Sequence, residues 1–466
     1  MNMKSLCKTP HVIDMTRGRI LSHIIVFAFP LFLGNIFQQL YNTADCFIVG
    51  RFLGRDSLAA VGSTSQLVLT AIGFFNGLAT GAQVVISQSF GAKDKISLKR
   101  AIHTALLFSV LIGIFLTFLG IFVSPLVLHL ISVPPAIFDL ANSYLRIYFS
   151  GISFLILYNM GAGILRALGN SKRPLYFLVF SSVVNIILDS VFVFFLKMEI
   201  RGVAFATVIS EGISLVPVFR VLFSAEDDYK LRLKDLKIDR EILLEILRIG
   251  LPGAVSACLT AFSNTFMQKY VNFFGENCIA GWAIFARFDN LIIMPMMSIS
   301  FAVTTFVSQN YGAGEFSRIK KGVKISFYLN FLVIALLSVL MFTFAPFLSS
   351  IFANDSEAIR YSSLFIRFTS PFYFFCATTM LFSQALRGFG NSLAPTLITF
   401  GGFVVLRQLF LFVTTSFSSS FAFVAIGYPI VWIVTTLAMA VYWLRYSKFL
   451  LVISEKNIGQ DYKKIV

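Results

Sequence analysis

The sequence predicts an all-α integral membrane protein of twelve transmembrane helices in two pseudo-symmetric six-helix bundles. Three observations lead there. The 466 residues are 57% hydrophobic and only 13% charged, with a mean hydropathy of +0.82, whereas a soluble chain of this length is about a quarter charged. Apolar runs of roughly 20 residues, the length that crosses hydrocarbon as a helix, recur along the chain. A set of landmarks also repeats at a spacing of 221 positions. No run shows the apolar–polar alternation of a barrel strand, so helices are the only spanning class left.

In chain order, residues 1–20 form a polar leading segment. The first apolar run lacks the small-residue cleavage site of a signal peptide and reads as a retained span. Spans follow at about 22–50, 57–88, 101–123, 138–163, 174–196 and 203–223, which make up a first lobe over 21–223. Residues 224–245 (AEDDYKLRLKDLKIDREILLE and its flanks) form a charged linker, read as solvated and amphipathic. Spans at about 246–274, 279–308, 324–350, 360–386, 395–416 and 421–444 make up a second lobe over 246–446, and 447–466 is a polar tail. Phe is abundant, with 54 residues, which suits lipid contact and helix packing. The five cysteines (Cys7, Cys46, Cys258, Cys278, Cys376) are scattered without a CxxC pair and read as apolar packing residues.

The net charge of +16 suggests nucleic acid at first sight, but its placement answers otherwise. Of 38 Lys and Arg, 28 fall on one side of the predicted spans and 5 on the other. Basic loops stay on the cytoplasmic side, so both termini are placed in the cytoplasm and no nucleic-acid partner is needed.

Ser87-Gln88-Ser89-Phe90-Gly91-Ala92 returns as Ser308-Gln309-Asn310-Tyr311-Gly312-Ala313. At the same offset Pro125 matches Pro346, Arg146 matches Arg367, Arg166 matches Arg387 and Pro174 matches Pro395. Pro30 matches Pro252 with one residue of slip. Six spans per repeat is an even number, so both halves enter the membrane the same way, as in parallel transporter repeats with a cavity between them.

The stretch LGNIFQQLYNTADCFIVGRFLG, residues 33–54, places Gln38, Tyr41, Asn42 and Asp45 in the first span. A carboxylate inside a span costs roughly 3 kcal/mol or more near the bilayer centre and usually faces a polar cavity. By helix rise, Asp45 lies about 9 Å inside Arg51, Asp189 about 12 Å inside Lys197, and Thr207 and Glu211 about 9 and 15 Å past Arg201. Asn185 is one turn from Asp189 on the same face. These residues therefore share a layer in the outer half of the first bundle. Two close carboxylates in a low dielectric hold a proton tightly, and with Asn185 and Thr207 they could equally ligate sodium. Glu211 is either a cavity wall or helix–helix glue, with Gln38, Tyr41 and Asn42 as further cavity candidates. Pro30 predicts a helix bend.

The second bundle has no Asp or Glu from Leu247 to Gly275 or from Tyr361 to Val413. Its polar set is Arg287, Asp289 and Arg407, expected to form an internal salt bridge, with a role in substrate contact or gating as the alternative. Arg166 and Arg387 precede Gly-Asn-Ser and read as helix-end anchors; His103 and His129 read as structural. No phosphate-binding glycine loop, nucleophile elbow or metal motif occurs, so neither an enzyme nor a resident cofactor is expected, and transport would draw on an ion gradient.

These residues resemble the multidrug and toxic compound extrusion family. MTRGRI, FPLFLGNIFQQLYNTADCFIVGRFLG, SQSFGA, ILRALGNSKRP, NIILDSVF, RGVAFATVIS, FVSQNYGAG and ALRGFGNS carry the likeness, which covers residues 15 to 446 and is closest to bacterial NorM-like members. The resemblance implies a two-lobed inner-membrane antiporter, monomeric, exporting amphipathic, often cationic organic compounds against H+ or Na+. It implies that Asp45, Asp189, Asn185 and Thr207 form a cation site in the first lobe and that Pro30 marks a bend. The chain departs from members with a cation site in the second lobe, having no acid in spans 7 or 10. A flippase for a lipid-linked precursor is the competing reading, since related folds carry that function; it would call for extra spans and a cationic cavity.

Overall fold

Backbone surrounded by lipid can hydrogen-bond only to itself, so each apolar run must close its own hydrogen bonds as a helix. The computed structural model describes residues 13–225, 229–417 and 421–465, and among them it contains helices and no strand. Lys4, Cys7 and Lys8 of the leading segment, residues 226–228 of the charged linker and Val466 of the tail lie outside the described residues.

The first half comprises α1 (Ile20–Ile48), α2 (Gly54–Gly91), α3 (Lys95–Leu130), α4 (Pro135–Ser150), α5 (Ile152–Ala167), α6 (Lys172–Ser190) and α7 (Glu199–Phe223). The second comprises α8 (Arg240–Asn272), α9 (Glu276–Gly312), α10 (Phe316–Thr343), α11 (Ala345–Ser350), α12 (Ser356–Thr369), α13 (Tyr373–Gly388), α14 (Leu393–Phe400), α15 (Arg407–Phe417) and α16 (Phe421–Ile465). Among the described residues, ten helical stretches are long and apolar enough to cross a membrane, and α4 with α5, bent by 46°, makes another crossing. The first stretch, Ile20–Gly91, has 72 residues, about three times what one crossing needs. It turns at Gly54, where φ is +85°, so twelve crossings result. Outward faces are apolar: Phe122 and Leu130 on α3 are 73% and 75% exposed, as lipid contact requires.

The backbone repeats as the sequence does. Gly54 and Gly275 share φ of +85° and +86°; Gly169 and Gly390 share +81° and +89°. After the Ser-Gln motifs, Asp94 N–H donates to Ser89 O and Glu315 N–H to Asn310 O. Gly169 N–H donates to Arg166 O at 2.9 Å and Gly390 N–H to Arg387 O at 2.8 Å, so both arginines close helices that end at a left-handed glycine.

Two compact units are distinguished by their internal contacts. One holds residues up to Asp14 together with Phe29–Ala254; the other holds Met15–Ala28 and Val255 onward. In the first, Ile86, Ile102, Ile164, Leu222 and Ile246 form a buried core. The described part of the linker is bonded to α3. Arg232 N–H donates to His103 Nε2 at 3.2 Å, Asp239 N–H donates to Thr104 Oγ1 at 3.1 Å, and Lys99 Nζ lies 2.5 Å from Asp235. Lys99 holds the Asp235 carboxyl below the usual carboxylate range. His129 packs its ring on Phe138, with centroids 4.5 Å apart.

The second unit has an aromatic core. Phe285 and Phe365 stack at 5.2 Å, and Tyr373 lies 5.0 Å from Trp432. The Met15–Ala28 segment is fastened here. Met15 N–H donates to Gln309 Oε1, and the Arg318 guanidinium donates to the carbonyls of Met15, Arg17 and Gly18 at 2.9–3.0 Å.

Candidate cation-coupling site

Helical spacing builds the site. Gln38, Tyr41 and Asp45 recur at i, i+3 and i+7 on one face of α1. Asn185 and Asp189 lie one turn apart on α6, and Thr207 and Glu211 one turn apart on α7. Ser181 Oγ donates to Ser210 O at 2.9 Å, a side-chain bond that fixes α6 against α7. Asp189 has no exposed surface, Asn185 is 2% exposed and Thr207 is 7% exposed. Asp45 and Glu211 are half-buried.

The Asp45 and Asp189 carboxylates lie close enough to act electrostatically on each other. No protein donor reaches either oxygen of Asp189, Oδ1 of Asp45 or Oδ1 of Asn185, and no acceptor reaches Nδ2 of Asn185. Thr207 donates its hydroxyl hydrogen to Val203 O at 3.1 Å, which leaves its oxygen free to accept or ligate. Buried polar groups are ordinarily bonded, and two like charges at close range in a low dielectric cannot both stay ionised unless a proton or cation lies between them. The arrangement is therefore chemically suited to binding a proton or a small monovalent cation, through carboxylate, amide and hydroxyl oxygens. Among the described residues, no group of three or more His, Cys, Asp or Glu is placed to hold a metal ion.

Sequence reasoning missed one wall. Of Tyr144 and Tyr148, one turn apart on α4, Tyr144 stands within electrostatic reach of Asp45, Asp189 and Glu211, and Tyr148 within reach of Glu211. The Asn142-Ser143-Tyr144 run with Tyr148 four residues on was the available signal, and Asn142 Oδ1 is likewise buried without a partner. Gln38 lies one turn from Tyr41 on α1, and Asn42 is half-buried on the same helix. Pro30 lies inside α1, which continues on both sides of it.

In the second half, the polar trio does not form the expected salt bridge. Asp289 Oδ1 accepts from Tyr373 OH at 2.6 Å. Arg407 donates to Ser263 Oγ and to Asn264 Oδ1 at 2.9 Å, with its guanidinium 5.8 Å from the Tyr428 ring centre. Arg287 is exposed and lies 5.1 Å over the Phe352 ring. The reason is helical phase. Residues two apart on a helix point about 200° from each other, so Arg287 and Asp289 on α9 cannot face one pocket. Arg407 is already occupied by α8.

The MatE family pattern matches residues 30–191 and, a second time, residues 252–413. The chain is 31% identical over 382 residues to the probable multidrug resistance protein YoeA of Bacillus subtilis, covering 80% of this chain and 82% of that one. It is 27% identical to the probable multidrug resistance protein NorM of Thermotoga maritima, covering 82% of each. A solved structure described as the outward-facing conformation of a multidrug resistance MATE family transporter superposes with a TM-score of 0.86 at 25% identity, over 95% of this chain and 99% of that one.

Proposed function

This chain belongs to the MatE family of multidrug efflux transporters, and from that premise we propose that it exports amphipathic, cationic organic compounds in exchange for H+ or Na+. The observation that carries the exchange is the Asp45–Asp189 pair, in which Oδ1 of Asp45 and both oxygens of the buried Asp189 have no hydrogen-bond partner in the protein. A cation that enters this pair alters the charge inside the first helix bundle. That biases any conformational equilibrium whose two states solvate the pair differently. The protein alternates between access from the two membrane faces, with α1 yielding at Pro30, where the proline removes one helical hydrogen bond. It works as a monomer in the bacterial plasma membrane with both termini cytoplasmic. Acids at the polar centre of the first bundle, in place of a cationic cavity, weigh against a lipid-precursor flippase.

The test is efflux of a fluorescent amphipathic cation from vesicles holding the purified protein, with proton and sodium gradients imposed separately. One of the two gradients is expected to drive extrusion against the substrate's own gradient. Extrusion by neither would overturn the proposal.

A further inference from the structure

Glu211 has no place in the Asp45–Asp189 pair, and four helices explain where it does belong. The helices α1 and α6 run one way along the bundle, and α4 and α7 run the other. One layer contains Asp45, Tyr144, Asp189 and Thr207. Four residues along each helix, in the sense that moves every side chain the same way, stand Tyr41, Tyr148, Asn185 and Glu211. One helical turn, about 6 Å, separates the layers. Glu211 is the acid acting most strongly on both Tyr41 and Tyr148, whereas Asp45 leads at Tyr144. The second layer is thus a physical grouping and not a sequence coincidence.

We propose that Glu211 is a second cation-binding carboxylate, so that the protein takes up two monovalent cations in each cycle, one per layer. The proposal rests on the exchange reading above. Independent support comes from Asn185, which is 2% exposed with both amide atoms unpartnered. By helical register it stands level with Glu211, one turn from Asp189, so its amide borders both layers. The surroundings supply no neutralising group. The helix α4 presents Tyr144 and Tyr148, α1 presents Tyr41 and Asp45, and α6 presents Asp189. On α5, Tyr158 OH donates to Pro174 O at 3.0 Å, and Arg166 lies in the last turn beside Tyr158. Among the described residues, no Lys, Arg or His forms a salt bridge with Glu211. An acid so placed in a membrane must be neutralised by a cation from outside the protein.

The experiment measures initial efflux rate against cation concentration in vesicles, with separate proton and sodium arms, for wild type, Glu211→Gln and Asp45→Asn. Site number bounds the Hill coefficient. Wild type should approach a coefficient of about two. Glu211→Gln should still export, more slowly, with a coefficient of about one. A calorimetric stoichiometry of one cation bound to wild type, or a coefficient above one in wild type that Glu211→Gln leaves unchanged, overturns the proposal. So does a change confined to the KM of the organic substrate, which would make Glu211 a substrate contact. Should Glu211→Gln not reach the membrane, calorimetric titration of purified wild type with the active cation decides: two cations bound supports the proposal and one refutes it. Asp45→Asn keeps the two readings apart. If that variant exports normally, the exchange reading fails, whereas a failure confined to Glu211 leaves it standing.

Discussion

Gly81→Ala is a one-carbon perturbation whose effect can be worked out in advance. Gly77 and Gly81 on α2 face Gly250 and Ala254 on α8, within one compact unit. Small residues four apart let helix backbones touch in a membrane, where packing rather than water drives association. A Cβ built on Gly81 would lie 2.6 Å from Gly250 N and 2.7 Å from Gly250 Cα, with Ile246 O also in its way. Ordinary contact between such atoms is about 3.5–4.0 Å. Since the obstacles are backbone atoms, no rotamer change relieves them, and α8 must retreat by about 1 Å. Overpacking of this kind costs about 1–3 kcal/mol, which for a unit of this size lowers the melting temperature by roughly 2–10 °C. Gly62, on the same helix, has nothing within 4 Å of a built Cβ. There Ala gains up to about 1 kcal/mol of helix propensity, so Gly62→Ala should melt at or above the wild-type temperature. The assay is thermal unfolding of both variants in one detergent. If Gly81→Ala melts with or above wild type, or the two variants move together, the close approach of α2 and α8 does not exist as described.

Asp45→Asn and Asp189→Asn should each abolish gradient-driven efflux with expression near normal; a wild-type rate in either removes that residue from the coupling site. Asp289→Asn weakens the 2.6 Å bond from Tyr373, worth about 1.5–3 kcal/mol for a charged acceptor. It should lower thermal stability more than transport per folded molecule, and lost transport with unchanged melting would move Asp289 into the functional site. Arg318→Lys replaces a planar fork that reaches three carbonyls by a single ammonium. Amide exchange across residues 15–20 should rise at least about tenfold, corresponding to one lost bond of about 1.4 kcal/mol; unchanged exchange would show that Gln309 and Asn310 hold the segment alone.

The fold was legible because membrane crossing imposes apolar length, and duplication writes the same backbone demands twice. Gly169 and Gly390 can be read from sequence, since each follows Arg by three residues and precedes Asn-Ser. Lys93 could not be. It occupies the left-handed position, φ +57°, that Gly314 fills in the other half, and lysine carries no sign of such a turn. The acids of the site were legible because an Asp inside a span is rare. Tyr144 and Tyr148 were not, since a tyrosine in a span is ordinary and only the neighbouring helices show what it faces. The expected Arg287–Asp289 bridge failed because proximity in sequence was allowed to outweigh helical phase.

The halves keep the same turns but not the same chemistry, and the structure indicates why the two can separate. Backbone conformations at Gly54 and Gly275, or Gly169 and Gly390, are set by helix ends that must close whatever the interior holds. Interior side chains are under no such duplicated constraint. In the first half the interior collects Asp45, Asp189 and Glu211 without a basic partner. In the second, the interior acid Asp289 is held by Tyr373, with Arg407 near enough to act on it, amid packed rings of Phe285, Phe365 and Trp432. An acid with a donor and a nearby guanidinium has its charge compensated from within, so it has less need of an ion from outside. Three acids without such partners must take cations from their surroundings in order to remain buried. On the exchange reading proposed above, the first repeat is the one whose acids call for an outside cation, and the pattern of compensation rather than the count of acids distinguishes the two repeats.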